Sequence, residues 1–351
     1  MTATSDLVSA ENGVEYDPEA WDAAVKRGNG HLLQSWRWGT FKNQFGWEVE
    51  RFAVIHNQLV LMAQVLFRHR AGVSIGYIPR GPVLPGEDSG GIAELWRRID
   101  SAANRRRTLT IVVEPNLVMS VGGFDAPLLS TGLAAIQPAR TVKVPLRDDH
   151  ELLAQMHPKT RYNVRMAKRR EVEVWIAHDH ENSVDTFHGL LRDTAARNEF
   201  HIHPAEYYRE FLRYFAPDAA LLFAGFEGKV VAAVIAAVFG DEAIYMYGAS
   251  STKDRAHGAG FLLQHEAMRW ARDRGARRYD LWGIPEYDPE STVGENGDRL
   301  AGSSGRDMRG LYEFKTRFGG EIVSFPPPVE RRYHPFLASL ARRFSSPDGG
   351  G

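Results

Sequence analysis

Residues 243–282, AIYMYGASSTKDRAHGAGFLLQHEAMRWARDRGARRYDLW, decide the fold. Residues 243–248 are aromatic and apolar enough to read as a strand. Gly258 and Gly260 then interrupt the chain before Phe261, Leu262, His265, Met268 and Ala271, which fall on one face of a helix over 258–274. Gly275 closes that helix, and 278–282 is the next strand. Strand, glycine turn, helix and strand follow one another in that order.

Working upstream, residues 220–226 and 230–239 read as strands joined at Glu227-Gly228, a tight hairpin turn. Before them come helices over 184–199 and 205–215, a strand over 172–177, a helix over 151–169 and a strand over 140–146. A similar order appears nearer the N-terminus. Strands over 47–55, 59–67 and 73–78, separated by Asn57-Gln58 and Ala71-Gly72, form an antiparallel meander, followed by a helix over 92–107 and a strand over 109–114. A short amphipathic helix over 17–26 precedes them. At 351 residues with 43% hydrophobic content, the chain suits two cores rather than one. The expected organisation is a first domain over 1–140, a second over 141–344 and a disordered tail over 345–351. Residues 286–309, rich in Gly, Ser and Asp, read as a long loop.

Composition excludes several classes of function. Lys and Arg number 43 against 44 Asp and Glu, so the net charge of -1 carries no bulk attraction to nucleic acid or membrane, and any polyanion site must be local. With no cysteine, disulfide frameworks, thiolate nucleophiles, iron–sulfur clusters and cysteine-type zinc sites are out, which favours a reducing, cytoplasmic setting. No run approaches the ~20 apolar residues of a membrane helix, and residues 1–16 lack a signal-peptide pattern, so neither export nor membrane spanning is expected. The 13 histidines show no metal-ligand spacing, and no metal is expected. G-x-S-x-G and Walker A patterns are missing too, which leaves acyl transfer as the reaction class with sequence support.

Arg255-Ala256-His257-Gly258-Ala259-Gly260 matches the R-x-x-G-x-G turn with which acyl-CoA-dependent acetyltransferases hold a pyrophosphate at a helix N-terminus. The competing reading of those glycines is close packing. Lys315, between Phe314 and Thr316, reads either as a cation that offsets a developing oxyanion or as a solvated lysine beside core aromatics. The hexapeptide Phe41-Lys42-Asn43-Gln44-Phe45-Gly46 matches Phe314-Lys315-Thr316-Arg317-Phe318-Gly319. One copy opens the first domain and the other closes the second, so the pair is not read as a simple duplication. Residues 159–170 carry six cations around Tyr162, either a solvated face or a surface for an RNA backbone.

Taken in order, 33–42, 77–83 (Tyr-Ile-Pro-Arg-Gly-Pro-Val), 159–165 (Lys-Thr-Arg-Tyr-Asn-Val-Arg), 245–250 (Tyr-Met-Tyr-Gly-Ala-Ser), Glu313-Phe314-Lys315 and Phe318-Gly319-Gly320 resemble the Fem family of peptidoglycan bridge-forming aminoacyltransferases, in a short form without the coiled-coil insertion. The resemblance implies an α/β (α+β) fold of two tandem acyl-CoA N-acyltransferase (GNAT)-like domains, each a mixed, mostly antiparallel sheet flanked by helices. It implies an aminoacyl-tRNA donor, a nucleotide-linked (UDP) or lipid-linked precursor as acceptor, and no acetyl-CoA or other cofactor. A monomer with peripheral membrane contact is the expected state. By resemblance, Lys42 and Arg197 would hold the precursor's diphosphate, with Arg80 also substrate-binding and Tyr247 lining the acceptor groove. His201 stands where the family pattern has a tyrosine. Phe314 and Lys315 would face the ester, and Arg255, Gly258 and Gly260 remain a candidate anion-binding turn. The rival reading is an acyl-CoA-dependent N-acyltransferase acting on a small amine or peptide; a third is a catalytically silent RNA- or precursor-binding module.

Overall fold

The computed structural model describes residues 16–116, 129–130, 135–198, 201–251, 257–285 and 308–334. In chain order these form α1 (Pro18–Arg27), a 3-10 turn (Leu32–Gln34), α2 (Trp36–Asn43), β1 (Glu48–His56), β2 (Leu59–Arg70), β3 (Val73–Pro79), α3 (Ser89–Arg105), β4 (Thr108–Glu114) and β5 (Leu129–Ser130). There follow β6 (Arg140–Pro145), α4 (Asp149–Ala154), α5 (Pro158–Arg169), β7 (Glu173–Ile176), α6 (His180–Asn198), α7 (Ala205–Phe215), β8 (Ala219–Phe226), β9 (Lys229–Phe239) and β10 (Glu242–Ser250). The last elements are α8 (Ala259–Arg272), β11 (Arg278–Asp280), α9 (Met308–Thr316), β12 (Glu321–Ser324) and β13 (Val329–Arg332).

Local chemistry sets the boundaries. Asp17, Ser35, Asp88 and Asp148 each accept a backbone N–H from the first turn of α1, α2, α3 and α4, satisfying donors that a helix start leaves open. One helix expected over 151–169 is two, because Pro158 cannot donate to a preceding turn and forces His157 into an extended conformation; the His157 ring then caps α5 through the Lys159 N–H. At Asn57-Gln58, Ala71-Gly72 and Glu227-Gly228 both turn residues have positive φ, the backbone that matches the twist of paired strands.

The chain divides into one unit of residues 1–137 with 325 onward, and another of 138–324. The segment after Phe325, read from the sequence with the second domain, belongs with the first because β13 hydrogen-bonds β4 from Val329↔Val113 to Arg332↔Thr110. Thr110 Oγ1 also donates to Glu330, and Arg331 pairs with Asp100 on α3.

Strand order is β1-β2-β3-β4-β13-β5 in the first unit and β12-β6-β11-β10-β9-β8-β7 in the second. Read from β8 outward, the second sheet repeats the first. A three-stranded antiparallel meander leads through a helix (α3 or α8) to a strand parallel to the meander's third. An antiparallel strand then covers that one, β13 in the first unit and β6 in the second. Each unit has its own core: Phe52, Leu61, Val65, Trp96 and Ile111 in the first, and Val142, Leu222, Val234, Leu262, Met268 and Phe318 in the second.

The repeated hexapeptide marks two alike helix endings at different places in the topology. The rings of Phe41 and Phe45 lie 5.3 Å apart at 64°, and those of Phe314 and Phe318 5.4 Å apart at 83°. The Lys42 carbonyl accepts from Phe45 N and the Lys315 carbonyl from Phe318 N. Both lysines are buried, and Gly46 and Gly319 both take left-handed φ, +79° and +87°. Surroundings differ: a Cβ on Gly46 would meet nothing within 4 Å, whereas one on Gly319 would lie 2.3 Å from the Gln155 carbonyl oxygen. Gly46→Ala should therefore cost only the left-handed penalty, about 1 to 2 kcal/mol, and Gly319→Ala distinctly more. Urea denaturation of the two variants checks the order; equal losses would contradict it.

Candidate functional site

The second unit opens where two parallel strands part. β10 and β11 pair through Glu242↔Arg278, Ala243↔Tyr279 and Ile244↔Asp280, but β10 continues to Ser250 while the other strand ends at Asp280. Lys315 enters that gap from α9. Its Nζ lies 2.8 Å from the Gly283 carbonyl and 3.5 Å from the Trp282 carbonyl, just beyond β11, and 5.3 Å from the ring centre of Tyr245, the first β10 residue past the pairing. Among the described residues no acceptor meets its third N–H.

Lys315 is placed there by its neighbours. Phe314 packs on Phe261 at 5.0 Å, Phe318 is fully buried, and together they pin α9 to the start of α8. Trp282 has φ +58°, and this left-handed turn follows from Asp280, whose Oδ1 accepts from Trp282 N at 2.7 Å and from the Thr141 hydroxyl. Asp280 is wholly buried, with Lys143 Nζ 3.9 Å from its other oxygen; Lys143 in turn pairs with Glu242 at 2.7 Å. Burial lowers the Lys315 pKa to about 8, against which the Asp280 charge pulls it up. A desolvated cation with an uncommitted N–H can stabilise negative charge that appears next to it.

A bulge at Met246 separates Tyr245 from Tyr247. Tyr245 pairs with Ala236 and Tyr247 with Ile235, so one extra residue re-aims the second tyrosine. Tyr245 faces Lys315 and Gln264. Tyr247 faces the other side of the sheet, in an aromatic cluster with Tyr207, Tyr208 and Phe211 at 6.3, 5.0 and 5.6 Å. Its hydroxyl shares a hydrogen bond with that of Tyr207, and burial raises the pKa of both.

The other sequence candidates are distributed as follows. Gly258 has φ +75° and caps α8, and a Cβ there would lie 2.7 Å from the Asn163 carbonyl of α5. Close packing thus accounts for this glycine. Gly260 lies against Phe314. Arg255, residues 286–307 of the loop expected over 286–309, and the tail at 345–351 lie outside the described residues, while Met308 and Arg309 begin α9. Arg197 belongs to α6, but its side chain is likewise outside them. His201 is exposed; two residues on, His203 stacks on Tyr207 at 3.7 Å and donates its N–H to the Tyr208 hydroxyl.

In the first unit Lys42 is buried 5.3 Å from the Trp38 ring, and burial with the charge of Arg68 lowers its pKa to about 8. Arg80, buried with φ +48°, lies 3.5 Å over the Phe325 ring. It follows the last β3–β4 pair, Pro79↔Glu114, the place that Tyr245 holds after Ile244↔Asp280. There Glu114 accepts from the Tyr77 hydroxyl and from the N–H groups of Ile136 and Gln137. Burial raises the Glu114 pKa, opposed by those hydrogen bonds and by Arg80. Among the described residues no group of three or more His, Asp or Glu is placed to hold a metal, and no helix is long and apolar enough to cross a membrane.

Comparison with known proteins adds independent support. The FemAB family model matches residues 19–130, and an acetyltransferase (GNAT) domain model matches 158–289. Over residues 19–130 the chain is thus similar to the Fem family. It is 22% identical over 355 residues to a lipid II:glycine glycyltransferase of Staphylococcus haemolyticus, covering 77% of this chain and 84% of that one. To a Staphylococcus aureus protein of the same name it is 29% identical over 196 residues, covering 51% and 46%. A crystal structure of FemX superposes with a TM-score of 0.79 at 21% identity, over 93% of this chain and 98% of the other. The fold of this chain is the tandem GNAT-like α/β arrangement, with mixed, mostly antiparallel sheets flanked by helices.

Thr141 has no local sequence pattern that marks it, and Tyr245 stands out only as part of the 245–250 segment, with no role attached. The spacing Tyr245-x-Tyr247 points the wrong way, since residues two apart in a regular strand share a face. Asp280→Asn keeps a side chain of the same shape while removing the charge that favours the Lys315 ammonium. The expected result is a Lys315 titration midpoint below about 8, read by pH-dependent amine labelling followed by mass analysis; a midpoint unmoved or raised would refute the coupling.

Proposed function

We propose that this chain transfers an aminoacyl group from the ester of an aminoacyl-tRNA to the stem-peptide amine of a peptidoglycan precursor. The observation that carries the reading is the buried Lys315 ammonium at the parting of β10 and β11, with one N–H uncommitted among the described residues. As the amine nitrogen attacks the ester carbon, a new C–N bond forms and the carbonyl oxygen becomes an oxyanion. Lys315 offsets that charge. Collapse breaks the C–O bond to the ribose, and the amine's proton leaves with the ribose hydroxyl. An activated ester and a free amine need positioning and charge stabilisation rather than a strong base, so a dedicated carboxylate is not required. Phe314 orients the lysine. Lys42 and Arg197 would bind the precursor's diphosphate, with Arg80, His201 and Tyr247 as further contacts to substrate. The names of the Staphylococcus relatives support glycine as the group transferred and a lipid-linked precursor as acceptor.

Incubation with a mixed pool of charged tRNA and a stem-peptide precursor, followed by mass analysis, should show an added residue. Lys315→Met should lower turnover by roughly 10²–10³ with the fold intact, and undiminished turnover would remove the mechanism. The wild-type rate should also fall as pH rises through about 8, where the ammonium is lost; a profile flat to pH 10 would exclude a charged Lys315. A second reading, an acyl-CoA-dependent N-acyltransferase, is favoured by the acetyltransferase-domain match over 158–289. Saturable calorimetric binding of acetyl-CoA would support it over the first.

A further inference from the structure

Helix α5 concentrates basic residues on one short segment. Residues 158–170 contain Lys159, Arg161, Arg165, Lys168, Arg169 and Arg170 and no Asp or Glu, in a chain whose net charge is -1. Elsewhere, helical arginines meet carboxylates: Arg97 and Arg98 pair with Glu94 on α3, Arg209 with Asp185 and Arg213 with Glu210 on α7, and Arg269 and Arg272 with Asp149 on α8. On α5, Lys168 meets Glu266 at 3.1 Å and Arg161 is spent on the Ala154 and Met156 carbonyls. Lys159, Arg165 and Arg169 are exposed, and among the described residues no carboxylate lies within ion-pair distance of them.

These three line one stripe with Tyr162, which is 58% exposed, with the Arg169 guanidinium 5.9 Å over its ring. From Lys159 to Arg169 the stripe runs ten residues at about 1.5 Å each, about 15 Å in all. The opposite face, Thr160, Val164 and Ala167, is buried in the unit's own core. The helix therefore has no apolar stripe to insert into a bilayer, as an interfacial membrane helix requires. It offers a cationic ridge with one aromatic platform, the combination that tracks a nucleic-acid backbone.

The ridge also borders the candidate site. His157, at the N-terminus of α5, donates its N–H to the Arg317 carbonyl two residues beyond Lys315. Asn163 backs the Gly258 turn, and Arg170 reaches His257 at 3.4 Å.

We infer that the exposed face of α5, through Lys159, Arg165, Arg169 and Tyr162, docks the phosphate backbone of an RNA whose end reaches the parting of β10 and β11. The inference rests on the reading of Lys315 as an acyl-transfer site for an RNA-borne ester, and extends it by locating the partner's surface. It is tested by filter binding of unfractionated, uncharged tRNA over a range of salt concentrations, with the wild type, Lys315→Met and the triple variant Lys159→Ala/Arg165→Ala/Arg169→Ala. The triple variant should bind at least about 10-fold more weakly at 0.15 M salt, with a salt slope shallower by about 2 to 3, while Lys315→Met binds as the wild type does. Arg165→Glu alone, at an exposed position, should show the same direction if the triple variant unfolds. Unchanged affinity and slope in both α5 variants would overturn the proposal. So would loss of binding to phosphatidylglycerol vesicles with tRNA affinity retained, which would mark a membrane surface instead. A wild type that binds tRNA through α5 yet adds no residue to any precursor would uphold the surface and sink the transfer reaction.

Discussion

A buried ammonium has to be solvated by something other than water, and in this chain the backbone does it. Two carbonyls that follow β11 point at Lys315 because Trp282 is held in a left-handed turn, and Trp282 is held there by the Asp280 carboxylate. Remove the end of pairing between β10 and β11 and the carbonyls would be spent on a ladder. The site is thus a by-product of two parallel strands that separate after three residue pairs, with α9 filling the breach.

The same device occurs in the first unit with different chemistry. There the parallel pair β3 and β4 closes at Pro79↔Glu114, and a carboxylate again sits at the last pair. Glu114 is saturated by Tyr77, Ile136 and Gln137, and Arg80 stacks on Phe325, so this parting is filled from within. In the second unit the corresponding place holds the Tyr245 ring and a lysine delivered from a distant helix. One architecture has been used once as a closed polar core and once around a buried cation.

Much of this was legible in the residues. Hairpin turns at Asn57-Gln58, Ala71-Gly72 and Glu227-Gly228 are local chemistry, and the β10–α8–β11 succession follows from apolar periodicity and two glycines. What escaped was non-local. Pro158 splitting a helix was readable in principle, but the bulge at Met246 depends on how β9 lies alongside, and nothing in Tyr-Met-Tyr announces it. Nor does any short-range pattern reveal that 329–332 pairs with 110–113, over two hundred positions earlier. Lys315 was singled out from its motif; its burial, its depressed pKa and its backbone partners required the fold.

That long-range pairing has a consequence for biogenesis. The first sheet has β4 flanked on one side by β3 and on the other by β13, so until residues 329–332 leave the ribosome β4 presents an open edge. All of its residues Thr108–Glu114 except the last are apolar or β-branched, a composition prone to pairing with a stranger. The second unit, whose strands are contiguous in the chain, can complete itself meanwhile. Until β13 is made that edge stays open to mispairing, and a lesion in β13 would leave it so in the half of the molecule made first.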